Sequence, residues 1–262
     1  MTKRGSDEYT VRTMQPEEVE ETYEMIDKEG WNLTLDKFSA LYKSSPDNFF
    51  VAVSPDGEVA STMSLIPTFE GEYVLGNLVV KDGHRNRGLG RKLVDEVFAL
   101  FPNAVVSLTA VPGADQFYLN TDFHFTQPQQ GQDIVYILLD REKLKQKSAE
   151  AGQQDVTVSL YSGHSFDKLI VGFGVGFIKR EKIVLDGLFA DSDAIAVQIF
   201  TEIVEQFPGI NSVKLQVPSS RLFLSELGAI QQSYRYNRYS RGQPTLSPLS
   251  KVYNVSDCDY TY

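Results

Sequence analysis

The sequence predicts an α/β fold with a mixed sheet, and three observations support this prediction. In the first half of the chain, apolar segments of strand length alternate with segments whose apolar residues recur at helical spacing. One strand runs directly into a helix through a loop rich in glycine and arginine, residues 85–91. The second half repeats part of this pattern. We therefore expect an N-terminal domain followed by a smaller domain of related architecture.

The predicted elements of the first half follow one another closely. Alternating residues over 9–14 predict a strand, and Pro16 with two following glutamates suits the start of a helix that ends at Gly30. A Pro-Asp-Gly turn signal at 55–57 separates two strands. The remaining predicted elements are helices over 35–42, 89–100 and 114–120, and strands over 49–53, 59–65, 73–80, 104–108 and 134–139. This order is typical of a mixed α/β sheet.

The junction of strand, loop and helix is expected to bind a phosphate-bearing ligand. The N-terminus of a helix presents backbone N–H groups that have no partner within the helix. Glycines let the main chain approach an anion closely, and arginines add positive charge around the same point. The candidate binding residues are Leu78, Val79, Val80, Arg85, Asn86, Arg87, Gly88, Leu89, Gly90 and Arg91.

Two common phosphate-binding motifs do not fit this loop. No Gly-Lys-Ser/Thr follows it, and its glycine spacing differs from that of the dinucleotide fingerprint. The pattern Arg-x-x-Gly-x-Gly, from Arg85 to Gly90 after an apolar strand ending in Val80, resembles the acetyl-CoA loop of the GCN5-related N-acetyltransferases, or GNAT family. The resemblance implies a GNAT fold, acetyl-CoA as co-substrate and no metal.

The resemblance also implies how the coenzyme would lie. In this family the strand before the loop and the strand after its helix, here 73–80 and 104–108, splay apart. The pantetheine arm lies in the gap and forms hydrogen bonds with the main chain, here near Leu78 and Val80. Side chains at these two positions are expected to belong to the ordinary core of the sheet.

A tyrosine that follows this region resembles the catalytic acid of the family. The segment 117–123 reads Phe-Tyr-Leu-Asn-Thr-Asp-Phe, which is similar to the family signature Phe-Tyr-x-x-x-Gly-Phe and places Tyr118 at the acid position. A phenol with a pKa of about 10 is a suitable proton donor for a leaving thiolate. Asp122 stands where the family has glycine, and aspartate tolerates positive φ better than most residues.

The sequence does not define a general base. Glu70 and Glu72 lie near the position that carries a glutamate in histone-type members, although each also suits a solvated strand edge. Trp31 is equally compatible with an acceptor pocket and with core packing. The three histidines form no short-range ligand pair, so a metal site is not expected.

The second half carries a faint copy of the first. The matching pairs are Val74-Leu75 with Val184-Leu185, 110 positions apart, and Phe101-Pro102 with Phe207-Pro208 and Val111-Pro112 with Val217-Pro218, each 106 positions apart. The difference of four residues falls in the loop, which reads Ala-Asp-Ser-Asp at 190–193 and has no arginine or glycine. Leu224 replaces the tyrosine. This resembles tandem GNAT proteins with a degenerate C-terminal copy.

These observations predict three segments. We expect a GNAT domain that binds acetyl-CoA over 1–145, a polar linker over 146–154 and a degenerate, non-catalytic acetyltransferase-like domain over 155–262.

Composition narrows the classes of partner and compartment. The net charge of −10 argues against a nucleic-acid surface and is compatible with a cationic acceptor. No apolar run is long enough to span a membrane, and the polar N-terminus shows no signal peptide. With a single cysteine, no intrachain disulfide is possible. A cytoplasmic or nuclear protein is therefore expected, with its oligomeric state undefined.

The prediction from sequence is an acetyl-CoA-dependent N-acetyltransferase that acts on a primary amine of a small molecule or peptide. The alternative is a non-catalytic protein of the same fold that binds acyl-CoA or a partner. The acyl chain length is not defined by the sequence.

Overall fold

The computed structural model describes residues 5–120, 124–126, 134–141, 172–218, 229–244 and 252–254. These residues form two compact units. The first contains the described residues within 1–108, 118–126 and 239–245, and the second contains those within 109–117, 127–238 and 246–262. The units therefore do not follow the two halves of the sequence. The predicted linker, 146–154, lies outside the described residues.

The sheet of the first unit is built from five strands. Neighbouring pairs are antiparallel from β1 to β4, whereas β4 and β5 run parallel. The strands are β1 (Thr10–Thr13), β2 (Phe49–Val53), β3 (Val59–Phe69), β4 (Glu72–Val80) and β5 (Val105–Ala110), of which 105–108 belong to this unit. The predicted strands are confirmed, with β3 four residues longer than predicted. The result is a mixed sheet, as the sequence indicates.

Four helices accompany these strands. Their bounds are α1 (Val19–Lys28), α2 (Leu35–Ser44), α3 (Leu89–Leu100) and α4 (Asp115–Leu119). Gly30 adopts a φ of 83° just after α1, and the Thr34 hydroxyl accepts a hydrogen bond from the amide of Lys37 at the start of α2. The buried face of α3 includes Leu89, Leu93 and Val97. The helical spacing of the sequence is thus the spacing of the core face.

The second unit has its own mixed sheet and core. Its elements are β6 (Ile134–Asp140), β7 (Gly172–Lys179), β8 (Lys182–Ala190), α5 (Asp193–Glu205), β9 (Ser212–Pro218), β10 (Ala229–Arg241, of which 239–241 belong to the first unit) and β11 (Val252–Asn254). β6 lies antiparallel to β9 and to β10, while β8 pairs antiparallel with β7 and parallel with β9. Ile183, Leu188, Phe200 and Leu215 are fully buried in its core.

The internal repeat is visible in the order of elements. The hairpin β3–β4, helix α3 and strand β5 correspond to the hairpin β7–β8, helix α5 and strand β9. Both hairpins contain a residue with positive φ in their second strand, Asn77 and, 110 positions later, Gly187. The connection from strand to helix spans 81–88 in the first copy and only 191–192 in the second. The second connection is therefore shorter by six residues, whereas the sequence matches indicated four. The helix and the connection after it are longer in the second copy, and this makes up the difference.

Candidate active site

The parallel strands β4 and β5 pair over a short stretch and then separate. Their register runs only from Glu72 opposite Val105 to Val74 opposite Ser107. Beyond this point, no described strand pairs with the remainder of β4 on the side of β5. The edge of β4 that precedes the loop is therefore open along the described chain, and an extended ligand could form hydrogen bonds with it.

A bulge in β4 accounts for this separation. The register against β3 shifts between Thr62 and Ser64, which leaves one extra residue on β4 beside Asn77. Asn77 has a φ of 54°, is 1% exposed and donates from Nδ2 to the Ser64 hydroxyl at 3.0 Å. Ser64 in turn donates to the Gly76 carbonyl at 3.2 Å. Since a bulge bends its strand and increases its twist, this one turns the end of β4 away from β5.

The main chain after the bulge presents groups toward the open edge. The carbonyl of Val79 accepts from the Ser61 hydroxyl at 2.9 Å and so faces β3. Carbonyls alternate in direction along a strand, which turns those of Leu78 and Val80 toward the opposite edge. Nε of Arg85 donates to the Val80 carbonyl there, at 2.8 Å.

The loop between β4 and α3 is exposed from Arg85 to Gly88. Positive φ values at Asn86, 62°, and Gly88, 79°, alternate with extended backbone at Arg85. The first hydrogen bond of α3 runs from the amide of Lys92 to the carbonyl of Gly88. The amides of residues 89–91 therefore have no acceptor within the helix, which is the arrangement that binds anions.

Two of the three loop arginines are paired with carboxylates. Arg85 lies 2.5 Å from Glu29 and 3.1 Å from Asp82. Arg91 lies 2.7 Å from Asp95, one turn further along α3, and also donates to the Asn120 carbonyl at 3.2 Å. Much of the positive charge that the sequence places at the loop is thus already neutralised.

Arg87 differs from the other two arginines. It is exposed, and among the described residues it forms no ion pair. Its Nη1 donates to the Tyr9 hydroxyl at 3.3 Å and its Nη2 to the Gly83 carbonyl at 3.4 Å, which are both neutral acceptors. Arg87 therefore keeps its positive charge available at the loop.

Tyr118 lies in a helix that one hydrogen bond connects to the start of α3. It sits in α4, and the bond from Arg91 to Asn120 joins the end of this helix to the first turn of α3. The ring is 8% exposed and packs against Phe125 and Tyr239, with centroid distances of 6.0 Å and 6.5 Å. Residues 121–123 of the matching signature, with Asp122, and residue 224 of the second copy lie outside the described residues.

The two glutamates considered as bases lie at the end of β4 that is far from the loop. Glu70 is in the turn between β3 and β4, and Glu72 is at the paired start of β4. At about 3.3 Å per residue, Glu72 lies roughly 20 Å along the strand from Leu78. Trp31 is half-buried in the connection between α1 and α2. None of these positions identifies a base.

A cluster that sequence reasoning missed lies beside the loop. Tyr9, Glu58 and Lys81 surround His84, although they come from separate parts of the sequence. Lys81, 2.7 Å from Glu58, lowers the pKa of that carboxyl, and the hydrogen bond from His84 acts in the same direction. The same pairing raises the pKa of Lys81. No sequence motif announces this cluster, because it is assembled by strand pairing.

Two other features are absent over the described ranges, a metal site and a membrane-spanning helix. No group of three or more histidine, cysteine, aspartate or glutamate side chains there could hold a metal ion. None of the helices found there combines the length and apolar character needed to cross a membrane.

Comparisons with known proteins show the family and the fold. Residues 10–138 match the model of the acetyltransferase (GNAT) domain family. No curated protein is significantly similar in sequence.

Solved structures extend the similarity of fold to nearly the whole chain. A proposed acetyltransferase from Pyrococcus horikoshii is 16% identical with a TM-score of 0.66, over 97% of this chain and 96% of its own. A tandem GNAT protein from the clavulanic acid biosynthesis pathway is 12% identical with a TM-score of 0.61, over 91% of this chain and 100% of its own. A GCN5-related N-acetyltransferase from Sphaerobacter thermophilus is 14% identical with a TM-score of 0.57, over 97% and 99%.

Proposed function

Because residues 10–138 make this chain a member of the GNAT acetyltransferase family, we propose that it transfers the acetyl group of acetyl-CoA to a primary amine. The observation that carries the proposal is the edge of β4, open along the described chain, which leads through the loop into the first turn of α3, where the amides of residues 89 and 90 have no acceptor within the helix. An extended pantetheine arm and a diphosphate need these two features in this order.

Each predicted site residue has a role in this proposal. The main chain of Leu78, Val79 and Val80 would hold the arm and the thioester carbonyl. The loop from Arg85 through Asn86 to Arg91 would hold the diphosphate, with the amides of Leu89 and Gly90 and the charge of Arg87 in direct contact. Gly88 would supply the left-handed turn that brings these amides together.

The proposed reaction is direct attack on the thioester. The neutral amine nitrogen bonds to the carbonyl carbon, the carbon–sulfur bond breaks, and the amine loses a proton to water or to a base not identified among the described residues. Tyr118 would donate its phenolic proton to the departing thiolate of coenzyme A. Burial among aromatic rings keeps the Tyr118 ring in place, which suits a proton donor in a fixed geometry.

The acceptor is proposed only by class. Its amine must arrive uncharged at the thioester, and an acidic protein attracts cationic amines before they lose their proton. Small amines, amino acids and peptide amines all meet this description. We place the chemistry in residues 1–145 and assign residues 155–262 a non-catalytic role.

One experiment tests binding and turnover separately. Coenzyme A is titrated into the protein by calorimetry, and acetyl-CoA consumption is then followed with a panel of small amines and amine-bearing peptides. Binding with turnover of at least one amine supports the proposal. The absence of coenzyme A binding at millimolar concentration would contradict it.

The distance of Glu70 and Glu72 from Leu78, roughly 20 Å along the strand for Glu72, favours a second candidate. A protein without a positioned base would bind acyl-CoA through the same edge and loop without transferring the acyl group. Tight coenzyme A binding with no turnover across the whole panel would favour this function.

A further inference from the structure

The hydroxyl of Tyr9 joins the phosphate loop to a chain of side chains behind it. It lies 2.7 Å from Nδ1 of His84 and accepts a hydrogen bond from Nη1 of Arg87 at 3.3 Å. The other ring nitrogen of His84, Nε2, lies 3.1 Å from the carboxylate of Glu58. Lys81 in turn lies 2.7 Å from the second oxygen of that carboxylate. This series of side-chain contacts thus runs from the buried phenol of Tyr9 to the exposed ion pair of Glu58 and Lys81.

Hydrogen-bonding chemistry assigns a direction to this chain. An ionised carboxylate only accepts, so Nε2 of His84 carries the proton that faces Glu58. In the neutral ring Nδ1 is then an acceptor, and the O–H of Tyr9 donates to it. The phenol oxygen keeps its lone pairs for the guanidinium of Arg87. Every polar atom of the chain therefore has a partner suited to it.

Packing fixes the phenol at the centre of this chain. Tyr9 is 5% exposed and belongs to a buried cluster with Ala60 and Leu89, the first residue of α3. The ring of His84 meets that of Tyr9 edge to face, at 5.6 Å and 86°. The aromatic body of Tyr9 is anchored in the core directly under the loop, so its hydroxyl has little freedom to move.

The turn before β1 covers the same part of the loop. The amide of Tyr9 donates to the carbonyl of Ser6 at 3.1 Å, which closes this turn. Gly5 lies against the side chain of Arg87, since a Cβ built at Gly5 would come within 3.6 Å of the Cβ of Arg87. Arg87 is therefore held by packing at its stem and by Tyr9 and Gly83 at its guanidinium.

We propose that Tyr9, His84 and Glu58 are positioning residues that hold the guanidinium of Arg87 in place for the diphosphate of coenzyme A. An exposed arginine that must order itself on binding loses conformational entropy, and holding it beforehand reduces this loss. The two acceptors that hold Arg87 are neutral, so its charge remains for the ligand. This inference rests on the proposed function, because it assigns a task at the same loop.

A double-mutant cycle tests the role of the phenol. The dissociation constant of coenzyme A is measured by calorimetry for the wild type, Tyr9→Phe, Arg87→Ala and the double variant. We expect Tyr9→Phe to weaken binding about fivefold, which is the scale of the net contribution of one typical intramolecular hydrogen bond. In the Arg87→Ala background the same change should have no further effect, because Tyr9 acts through Arg87.

A matched control separates positioning from general loss of structure. Tyr42 is also a buried tyrosine of the first unit, 7% exposed, and its hydroxyl donates to a carbonyl, that of Met14, at 3.1 Å. Tyr42→Phe should lower stability to a similar degree and leave the dissociation constant unchanged.

The outcomes separate the two proposals. If the wild type does not bind coenzyme A, the proposed function fails and this inference fails with it. If the wild type binds but Tyr9→Phe binds equally well, or loses the same affinity with and without Arg87, only the positioning role is overturned.

Discussion

The loops that follow β4 and β8 separate two otherwise similar regions of this molecule. Each region contains a hairpin, a bulge with positive φ in its second strand, a helix and a parallel strand. After β4 the connection has eight residues, which include two arginines and two exposed residues with positive φ, Asn86 and Gly88. After β8 it has two residues, and the Ser192 hydroxyl accepts from the amide of Ile195 at the start of α5. The fold is kept, and we propose an anion site only for the first copy.

The edges of the two bulged strands also differ. In the second unit, Phe189 of β8 pairs with Phe173 of β7 on one side and with Val252 of β11 on the other. β11 therefore lies on the side of β8 that faces β9, where the matching edge of β4 is open in the first unit. In the second unit, β11 thus occupies the position that corresponds to the one we propose for the pantetheine arm in the first unit. A splayed pair of strands is therefore not by itself sufficient to form a coenzyme site.

The largest effect that would sharpen this comparison is expected from Tyr118→Phe. Removing the proposed proton donor should lower kcat about 100-fold, within the range for general acid catalysis, because the thiolate must then leave unprotonated. The dissociation constant of coenzyme A should change less than about twofold, since a ring packed like that of tyrosine remains. Steady-state kinetics with the best amine of the panel, together with calorimetry, measure both quantities. Equal kcat values for variant and wild type would remove the acid role from Tyr118.

Charge reversal at Arg87 tests whether the loop after β4 is what allows the first copy to bind coenzyme A. Arg87→Glu should raise the dissociation constant of coenzyme A about 100-fold, because a carboxylate would face the diphosphate where a guanidinium faced it. Arg180→Glu, in the turn between β7 and β8 of the second unit, is the matched control and should leave binding unchanged.

The stoichiometry of the same titration tests whether the second copy also binds coenzyme A. We expect one coenzyme A per chain in the wild type and no second site of undiminished affinity in Arg87→Glu. Two sites per chain would break the comparison, because the second unit would then bind coenzyme despite its short loop and its paired edge.

Gly88→Ala tests the geometry of the loop with its charge unchanged. Alanine at a φ of 79° is strained, so the variant should lose about 1 kcal/mol of stability and bind coenzyme A a few times more weakly. Gly57→Ala places the same strain, at a φ of 87°, in the turn between β2 and β3. It should lose similar stability in thermal unfolding and keep its coenzyme affinity. A weaker affinity in both variants would show that stability, rather than loop shape, controls binding.

The smallest effect is expected for an ion pair of the first unit. Arg12 lies 2.6 Å from Glu18, and its hydrogen bond lowers the pKa of that carboxyl below the ordinary value of 4.5. A lowered folded-state pKa stabilises the fold above pH 4.5, and this contribution is lost as the pH falls through the folded-state value. Glu18→Gln should therefore lower the melting temperature by about one or two degrees at pH 7 and by less as the pH falls below 4.5. An equal loss across this pH range would assign the effect to packing.

Much of the fold could be predicted because its signals are local. Gly30, the turn at 55–57 and the apolar spacing of α3 place elements within a few residues of their observed bounds. Leu100 shows where local spacing fails, since it continues the apolar period of α3 but is 67% exposed at the end of the helix. Only packing against a neighbour distinguishes a core position from an exposed one at a helix terminus.

The candidate site was predictable in its composition but not in its long-range contacts. Arg91 pairs with Asp95 one turn further along the same helix, a spacing that the sequence shows, whereas Glu29 is 56 positions from Arg85 and only tertiary structure makes it a partner. His84 has no distinguishing motif, and its partner Glu58 is 26 positions away. A partner supplied by another strand depends on register, which no local pattern in the sequence specifies.

The order of strands and helices, the loop of arginine and glycine, and the loss of that loop in the second copy all follow from residue types read along the chain. Helix caps, turns and amphipathic faces involve neighbours within a few positions, and this is why reading the chain was sufficient for them. Tertiary structure alone decided that no described strand pairs with the end of β4 on the side of β5 while β11 pairs with the matching edge of β8, and that residues 239–241 belong to the first unit. Such pairings join residues far apart in sequence, and their outcome depends on which segments compete for the same strand edge.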